Sequence, residues 1–363
     1  MRLADPIRRI LPRRLADALD LALDKAGSGR LQSLRIRRDK PLSVTIDGTE
    51  RFPTDTGELR REPLRPLVPT AAEVEDILVA ASQGSYYAVE SELRRGYLTL
   101  PGGHRLGVAG EAVTGPDGIE SLKHITSVHL RFAHEVIGCA DKVLPHIVSP
   151  GAVRPWHTLV VGPPSSGKTT PLRDIVRQLS LGTPQAGGRG FQVAVADERS
   201  EIAGCYQGQA QLDVGPRTDV IDGAPKAAAI AMLIRSMSPE VVVTDEIGAP
   251  EDAAAVADLL RCGVTLIASA HGTSFEDLSR RPMFKPLLEA RAFQCVIELS
   301  GRRGVGTVER VVDPRRAGRA RIGEPRGLHA RGPQRERFGD AAAAPAAQID
   351  EYIDGLRADR LRE

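Results

Sequence analysis

The stretch His157–Leu181 constrains the fold of this chain more than any other. An apolar run over residues 157–161 is typical of a buried strand, and it leads into a loop rich in glycine, proline and serine. Beyond the loop, apolar residues recur at the spacing of one helical face: Leu172, Ile175, Val176 and Leu179. The loop itself has the spacing of a phosphate-binding loop, with Gly162, Gly167, Lys168 and Thr169. A strand, this loop and a helix in that order predict a site for a phosphate-bearing ligand.

The expected ligand of this loop is a nucleoside triphosphate, ATP, with Mg²⁺. Glycines let successive N–H groups point at the phosphates, and the following helix directs its positive end at the same anion. We expect Lys168 to reach the β- and γ-phosphates and the Thr169 hydroxyl to bind Mg²⁺. The residues expected to bind the nucleotide are Gly162, Pro163, Pro164, Ser165, Ser166, Gly167, Lys168, Thr169 and Thr170. Pro171 is compatible with a helix start, because the first helical N–H groups have no intrahelical partner.

Apolar strands and helices alternate after the loop. Short apolar runs lie at 191–196, 240–244, 264–269 and 294–299. Such alternation predicts a parallel sheet with helices on both faces. We therefore expect an α/β P-loop NTPase domain of the RecA/AAA-like type over residues 156–313.

Polar residues follow three of these strands, as Asp197-Glu198, Asp245-Glu246 and Ala270-His271. Open parallel sheets bind ligands at the carboxyl ends of their strands, so these groups are expected to converge on the phosphates. Asp245 is expected to hold Mg²⁺ through water and Glu246 to orient the attacking water. Glu198 is an alternative base, and a neutral His271 is expected to sense the γ-phosphate. The competing interpretations are an acidic helix cap and a structural histidine.

Residues 1–140 predict a small α+β domain. Thr70 with Glu73 three residues later predicts a capped helix, and residues 96–132 predict short antiparallel strands separated by Pro-Gly and Asp-Gly turns. The proline-rich segment 141–155 is expected to be a linker.

Triphosphate hydrolysis also needs positive charge at the transition state, commonly from an arginine supplied in cis or by a neighbouring subunit. Arg131 in the small domain is one candidate, and four further candidates stay open: Arg105, Arg199, Arg217 and Arg235.

Composition and charge narrow the function classes. The 49 Lys and Arg residues nearly balance 47 Asp and Glu, so the net charge of +2 is weak evidence for a polyanion partner. The four cysteines form no CxxC pair, which argues against a disulfide framework or a thiolate zinc site. No apolar stretch approaches the roughly 20 residues that span a bilayer, so we expect a cytoplasmic protein with only peripheral membrane association.

The last segment, residues 314–363, is rich in arginine, alanine, glycine and proline. We expect a mostly disordered tail with a short terminal helix. Its arginines lack interleaved aromatic residues, which argues against a nucleic-acid partner.

The motifs GPPSSGKTT, VADERSEIAG and GVTLIASAHG, together with LRIRRDKPLSV and GYLTLPGGHRLGVAGE nearer the N-terminus, resemble the stage III sporulation protein AA family. The resemblance extends to about Asp313, and that family is related to the secretion ATPases of type II and type IV systems and of pilus motors. It implies a Walker A motif at Gly162–Thr170, an acidic box at Asp197-Glu198, a Walker B motif at Asp245-Glu246 and a histidine box at His271.

The same resemblance implies an assembly and a role. The assembly is a homo-hexameric ring in which the small domain lends arginines such as Arg131 to the nucleotide pocket. The role is a motor ATPase that energises the channel between mother cell and forespore, with membrane-embedded sporulation channel components as partners. The alternative is a nucleic-acid-associated P-loop ATPase, since related plastid and bacterial proteins join this domain to a single-strand-binding module. The chain departs from the family at Pro171, where a larger apolar residue is usual, and in its arginine-rich tail.

Overall fold

The structure is a computed structural model that describes residues 2–314, except 117, 150, 152, 165, 290, 303 and 305. The chain divides into two compact units, Met1–Glu135 with Gly204–Leu212, and Val136–Ala203 with the described residues from Asp213 onward. The first division thus falls after Glu135 rather than after residue 140. The predicted tail lies outside the described residues, apart from its first residue.

The N-terminal unit is built on an antiparallel sheet in the order β4-β3-β2-β1-β7-β6-β5. Its strands are β1 (Leu31–Arg37), β2 (Ser43–Ile46), β3 (Thr49–Pro53), β4 (Leu59–Arg60), β5 (Tyr97–Leu100), β6 (His104–Gly115) and β7 (Gly118–Arg131). Its helices are α1 (Asp5–Ile10), α2 (Arg13–Ala26), α3 (Ala71–Ala81) and α4 (Glu90–Arg94). β6 and β7 run for 12 and 14 residues, so this hairpin is longer than the short strands that the sequence predicts.

Local signals in the sequence account for the helix boundaries of this unit. α2 ends at Gly27, whose φ of 74° is accessible to glycine at little cost. The predicted capping box of α3 is confirmed, since Glu73 N–H donates to Thr70 Oγ1 at 3.2 Å and Thr70 N–H donates to Glu73 Oε2 at 2.8 Å. The core lies between the helices and the apolar face of the sheet, where Leu34 and Leu130 are fully buried.

The segment Gly204–Leu212 joins this unit although it lies far away in the sequence. Gly102 N–H donates to Gln211 Oε1 at 3.0 Å, and Gln83 Nε2 donates to the Tyr206 hydroxyl at 2.6 Å. No pattern in the sequence predicts that this segment belongs to the N-terminal unit, because the assignment depends on contacts between residues that are distant in the sequence.

The second unit contains a sheet in the order β10-β9-β11-β12-β8-β13-β14. Its strands are β8 (Thr158–Gly162), β9 (Val193–Asp197), β10 (Thr218–Asp222), β11 (Val241–Thr244), β12 (Thr265–His271), β13 (Cys295–Ser300) and β14 (Thr307–Val312). Its helices are α5 (Leu144–Ile147), α6 (Thr169–Leu181), α7 (Lys226–Met237), α8 (Pro250–Arg261), α9 (Phe275–Ser279) and α10 (Phe284–Glu289). All neighbouring strands are parallel except β13 and β14, which confirms the predicted parallel sheet.

Two strands of this sheet are absent from the sequence prediction. β10 and β14 lie at its two edges and are only partly buried, so neither has the continuous apolar run that marks the central strands. The predicted linker also differs, because it contains α5, in which Leu144 and Ile147 are buried. No helix within the described ranges is long and apolar enough to cross a bilayer.

Candidate functional site

The predicted phosphate loop joins the carboxyl end of β8 to the start of α6. Gly162 is required here, because a Cβ at this position would collide with the Ser166 hydroxyl inside the loop. Gly167 has a φ of 81°, a backbone conformation that favours glycine. Ser166 is buried, and its Oγ has no hydrogen-bond partner within the described part of the chain. The loop therefore holds a polar group that an anionic ligand would satisfy.

Lys168 is the cationic centre of the loop, and only 5% of it is exposed. Its ammonium donates to the carbonyl oxygens of Gly162 at 3.1 Å and Pro163 at 3.2 Å, and to His271 Nδ1 at 3.0 Å. Burial lowers the pKa of Lys168, and the nearby carboxylates of Glu246 and Glu201 oppose this shift. The loop carbonyls thus hold a buried positive charge in place.

His271 links Lys168 to Glu246. It ends β12 directly opposite Gly162 of β8, and its Nε2 lies 2.8 Å from Glu246 Oε1. Because an ammonium only donates, Nδ1 must accept from Lys168, and the proton of a neutral ring then sits on Nε2 and is donated to Glu246. The second carboxylate oxygen of Glu246 accepts from Arg199 Nη1 at 2.9 Å. Both oxygens of this carboxylate are therefore engaged and oriented.

The backbone of Glu246 adopts an unusual conformation, with a φ of 40°. A non-glycine residue in this region is strained and must be held by its surroundings. Glu246 N–H donates to Ser269 Oγ at 2.9 Å, and Lys226 Nζ donates to the Glu246 carbonyl at 3.0 Å. Two residues that the sequence does not single out, Lys226 and Ser269, thus fix the direction of the Glu246 side chain.

Substitution of Lys226 by methionine should lower the stability of the C-terminal unit by about 1–3 kcal/mol, the usual effect of leaving a buried polar group unpaired. Lys226 is buried and also lies 3.3 Å from Glu198 Oε2 and 3.9 Å from Asp252 Oδ2. The check is urea unfolding followed by intrinsic fluorescence, with Lys142→Met at an exposed position as the control. Equal effects of the two changes would contradict the assigned contacts.

Asp245 directly precedes Glu246, just after the end of β11, and is the best candidate for a metal ligand. It is 1% exposed, and its Oδ2 has no hydrogen-bond partner among residues that the structure describes. The pKa of Asp245 is raised to about 7, mainly by burial and in part by the neighbouring carboxylates Asp197, Glu201 and Glu246. An excess of negative charge with an unsatisfied carboxylate oxygen suits a hard cation such as Mg²⁺.

Mg²⁺ commonly binds one or two protein oxygens together with substrate phosphates. Within the described ranges no group of three or more His, Cys, Asp or Glu side chains could hold a metal. Thr169, the second predicted ligand, begins α6 and donates to Glu201 Oε2 at 3.5 Å. The available oxygens therefore fit a metal that the nucleotide helps to hold.

The two residues of the predicted acidic box differ in their surroundings. Asp197 is fully buried and accepts hydrogen bonds from the backbone N–H groups of three consecutive residues, Glu201, Ile202 and Ala203. It organises the turn after β9, which brings Glu201 next to Thr169. Glu198 is half-exposed and pairs with Lys226. Its role as an alternative base stays a prediction.

The remaining predicted residues take different positions. Pro163, Pro164 and Thr170 lie in the loop or at the start of α6, whereas Ser165 lies outside the described residues. Arg131 ends β7 in the N-terminal unit and is exposed, so its expected action on a nucleotide stays a prediction. Among the other candidate arginines, Arg199 contacts Glu246, and Arg217 donates to the Ser180 carbonyl. Arg235 bonds within its own helix, to Ala231.

Comparison with known sequences gives a match over nearly the whole described chain. The family described as "Sporulation stage III, protein AA" matches residues 1–319. The chain is 39% identical over 308 residues to the stage III sporulation protein AA of Bacillus subtilis (strain 168), which covers 85% of this chain and 94% of that protein. It is 27% identical over 159 residues to the protein SEEDLING PLASTID DEVELOPMENT 1 of Arabidopsis thaliana, 44% of this chain and 22% of that protein.

Among solved structures, the ATPase DotB of Legionella pneumophila is similar, with a TM-score of 0.50, 14% identity, and coverage of 80% of this chain and 76% of that chain. The pilus retraction motor PilT with bound ADP aligns with a TM-score of 0.46 and 16% identity, over 77% of each chain. The likeness to DotB confirms the predicted fold class, an α/β P-loop domain preceded by a smaller α+β domain.

Proposed function

The chain belongs to the sporulation stage III protein AA family, and on that premise we propose that it is a Mg²⁺-dependent, ATP-hydrolysing motor ATPase of the secretion type. The observation that carries the proposal is the hydrogen-bonded chain from Lys168 through His271 to Glu246. It connects the phosphate loop to the carboxylate of Glu246, and both lie at the carboxyl ends of parallel strands, where such sheets bind ligands.

In the proposed reaction, Lys168 leaves the carbonyls of Gly162 and Pro163 and binds the β- and γ-phosphates. The loop N–H groups and the start of α6 hold the same phosphates. Thr169 and Asp245 would hold Mg²⁺, which supplies neutralisation of phosphate charge.

Glu246 then positions the attacking water and accepts its proton. His271 loses Lys168 as a partner when the phosphates arrive, so its Nδ1 is free to exchange its interaction for one with the γ-phosphate or with water. Arg199, which neutralises Glu246 before the nucleotide arrives, is exposed enough to swing toward the phosphates. In the proposed reaction, the contacts of Lys168, His271 and Arg199 therefore differ between the free and the triphosphate-bound protein.

ATP hydrolysis by the full chain should require a divalent cation. With Mg²⁺ in excess, steady phosphate release is expected; with EDTA, the rate should fall to background, because Asp245 and its neighbours would repel the triphosphate. A colorimetric phosphate assay measures both rates. Unchanged release in EDTA would contradict the role given to Asp245 and Thr169.

We propose further that the working form is a homo-hexameric ring in the cytoplasm, docked on membrane-embedded components of the channel between mother cell and forespore. Arg131 of the N-terminal unit would act on nucleotide in this ring. Light scattering with and without ATP at micromolar concentration tests the assembly, and a particle that stays monomeric in both conditions would count against the motor. Stimulation of ATPase activity by membrane fractions supports the motor, whereas stimulation by single-stranded DNA alone supports a nucleic-acid-associated ATPase.

A further inference from the structure

The outward face of the N-terminal sheet gathers positive charge. Along β1 the buried residues Leu34 and Ile36 alternate with Arg35 and Arg37, which therefore project from the opposite face. The register of β1 with β7 places Arg35 opposite His129, Arg37 opposite Ser127, and Ser33 opposite Arg131. Arg35, Arg37, His129 and Arg131 thus share one face of two adjacent strands.

A concave pocket of about 200 Å³ lies on this face. It is lined by Arg35, Arg37, Ser127 and His129, with a floor of small or apolar residues: Gly96, Gly107, Val108, Ala109 and Val128. None of the lining residues is acidic. In the part of the chain that the structure describes, the guanidinium groups of Arg35 and Arg37 have no hydrogen bond or ion pair. Among the described residues, the positive charge of these two arginines is therefore not paired with a carboxylate.

His129 provides a second observation that does not depend on the arginines being exposed. Its Nε2 is buried and has no hydrogen-bond partner within the described ranges. The pKa of His129 is lowered to about 4, mainly by burial and in part by the charges of Arg35, Arg131 and Arg37. A buried ring nitrogen that lacks a partner costs free energy, and in the tautomer that carries the proton on Nε2 an acceptor oxygen placed in the pocket would recover it.

We propose that this pocket is an anion site that binds one phosphoryl group. Two guanidinium groups on one strand and a serine hydroxyl on the next can donate to different oxygens of one phosphate, and a planar guanidinium favours this class of anion. A pocket of about 200 Å³ has room for a phosphoryl or pyrophosphoryl group. The site differs in position and residues from the phosphate loop, and it does not depend on ATP hydrolysis.

Two sources share this chemistry, a free phosphate compound and the phosphodiester backbone of a single-stranded nucleic acid. Arginines two residues apart on a strand are separated by about 6–7 Å, which approaches the spacing of successive phosphates along an extended strand. The experiment therefore uses both sources as probes, pyrophosphate and a twelve-nucleotide thymidine oligonucleotide.

The test is isothermal titration of the full chain carrying Lys168→Ala, which removes the lysine that binds phosphate in the loop. The site variant adds Arg35→Gln and Arg37→Gln, and the control variant adds Arg38→Gln and Arg61→Gln. The control makes the same change in net charge at exposed positions outside the pocket. All titrations are done at one ionic strength, because phosphate binding is strongly salt-dependent.

The expected result is binding by the Lys168→Ala chain that weakens at least about tenfold in the site variant and less than about twofold in the control, as expected for the loss of charge-assisted hydrogen bonds. Binding of pyrophosphate identifies a free phosphate compound as the source, and binding of the oligonucleotide alone identifies nucleic acid. Absence of binding by both probes, or equal weakening in the two variants, would overturn the proposal.

Gly107→Ala is a second variant that tests the same pocket if the Arg35→Gln and Arg37→Gln chain does not fold. Gly107 lies opposite His129 on the pocket floor, and an added Cβ meets its neighbours at ordinary distances, the nearest 3.6 Å away. The change narrows the pocket without altering charge, so it should weaken binding while leaving the unfolding temperature nearly unchanged. Undiminished binding in Gly107→Ala would also contradict the pocket as the site.

Discussion

Replacement of Glu246 by glutamine should lower kcat for ATP hydrolysis by about two to four orders of magnitude, the usual contribution of a general base. The amide has nearly the same shape, so Ser269 and Lys226 can still hold the residue through its backbone. The glutamine amide, however, cannot accept a proton from water. The affinity for ATP should change little, because the proposed phosphate contacts come from the loop and Lys168. Steady-state kinetics and equilibrium binding of a fluorescent ATP analogue separate the two effects.

Glu198→Gln is the matched control for this change. Glu198 follows the neighbouring strand, is half-exposed and pairs with Lys226, so its neutralisation should reduce kcat only modestly. If Glu198→Gln proved the more damaging substitution, Glu198 would be the base and Glu246 would have been misassigned.

Replacement of Lys168 by alanine should weaken ATP binding by roughly two orders of magnitude or more. Charge-assisted hydrogen bonds contribute about 1.5–3 kcal/mol each, and Lys168 is expected to make them to two phosphates. The change also removes the partner of His271 Nδ1, so the ring loses the contact that sets its tautomer. Hydrolysis should become undetectable at ATP concentrations that saturate the unmodified chain.

Lys142→Ala is the control for Lys168→Ala, since Lys142 lies in the same unit at an exposed position. It should leave both ATP affinity and turnover unchanged. Unaltered ATP affinity in Lys168→Ala would contradict the assignment of the phosphate loop.

Much of the C-terminal unit is predictable because its signals are local. The phosphate loop lies between a buried strand and an amphipathic helix, and the central strands are continuous apolar runs. The capping box of α3 needs only two residues three positions apart. Each of these features depends on neighbours in the sequence, so a pattern of residues is enough to predict it.

The details of the candidate site depend on residues that are distant in sequence. Lys226 and Ser269 hold the strained backbone of Glu246 from 20 positions before and 23 after it, and Arg199 reaches the same carboxylate from 47 positions away. The residue types of Lys226 and Ser269 are ordinary at their positions, so no local signal marks them, and Arg199 is one of several candidate arginines that the sequence alone does not separate. The edge strands β10 and β14 escape prediction for a related reason, because partial burial leaves them without an apolar run.

The most direct test of the proposed catalytic site is a crystal structure of the full chain with Mg²⁺ and a non-hydrolysable ATP analogue. We expect the Lys168 ammonium on the β- and γ-phosphates, the metal near Thr169 and Asp245, and the carboxylate of Glu246 facing the γ-phosphate. A triphosphate bound elsewhere, or Lys168 still donating to the carbonyls of Gly162 and Pro163 with the analogue in place, would contradict the proposed catalytic site.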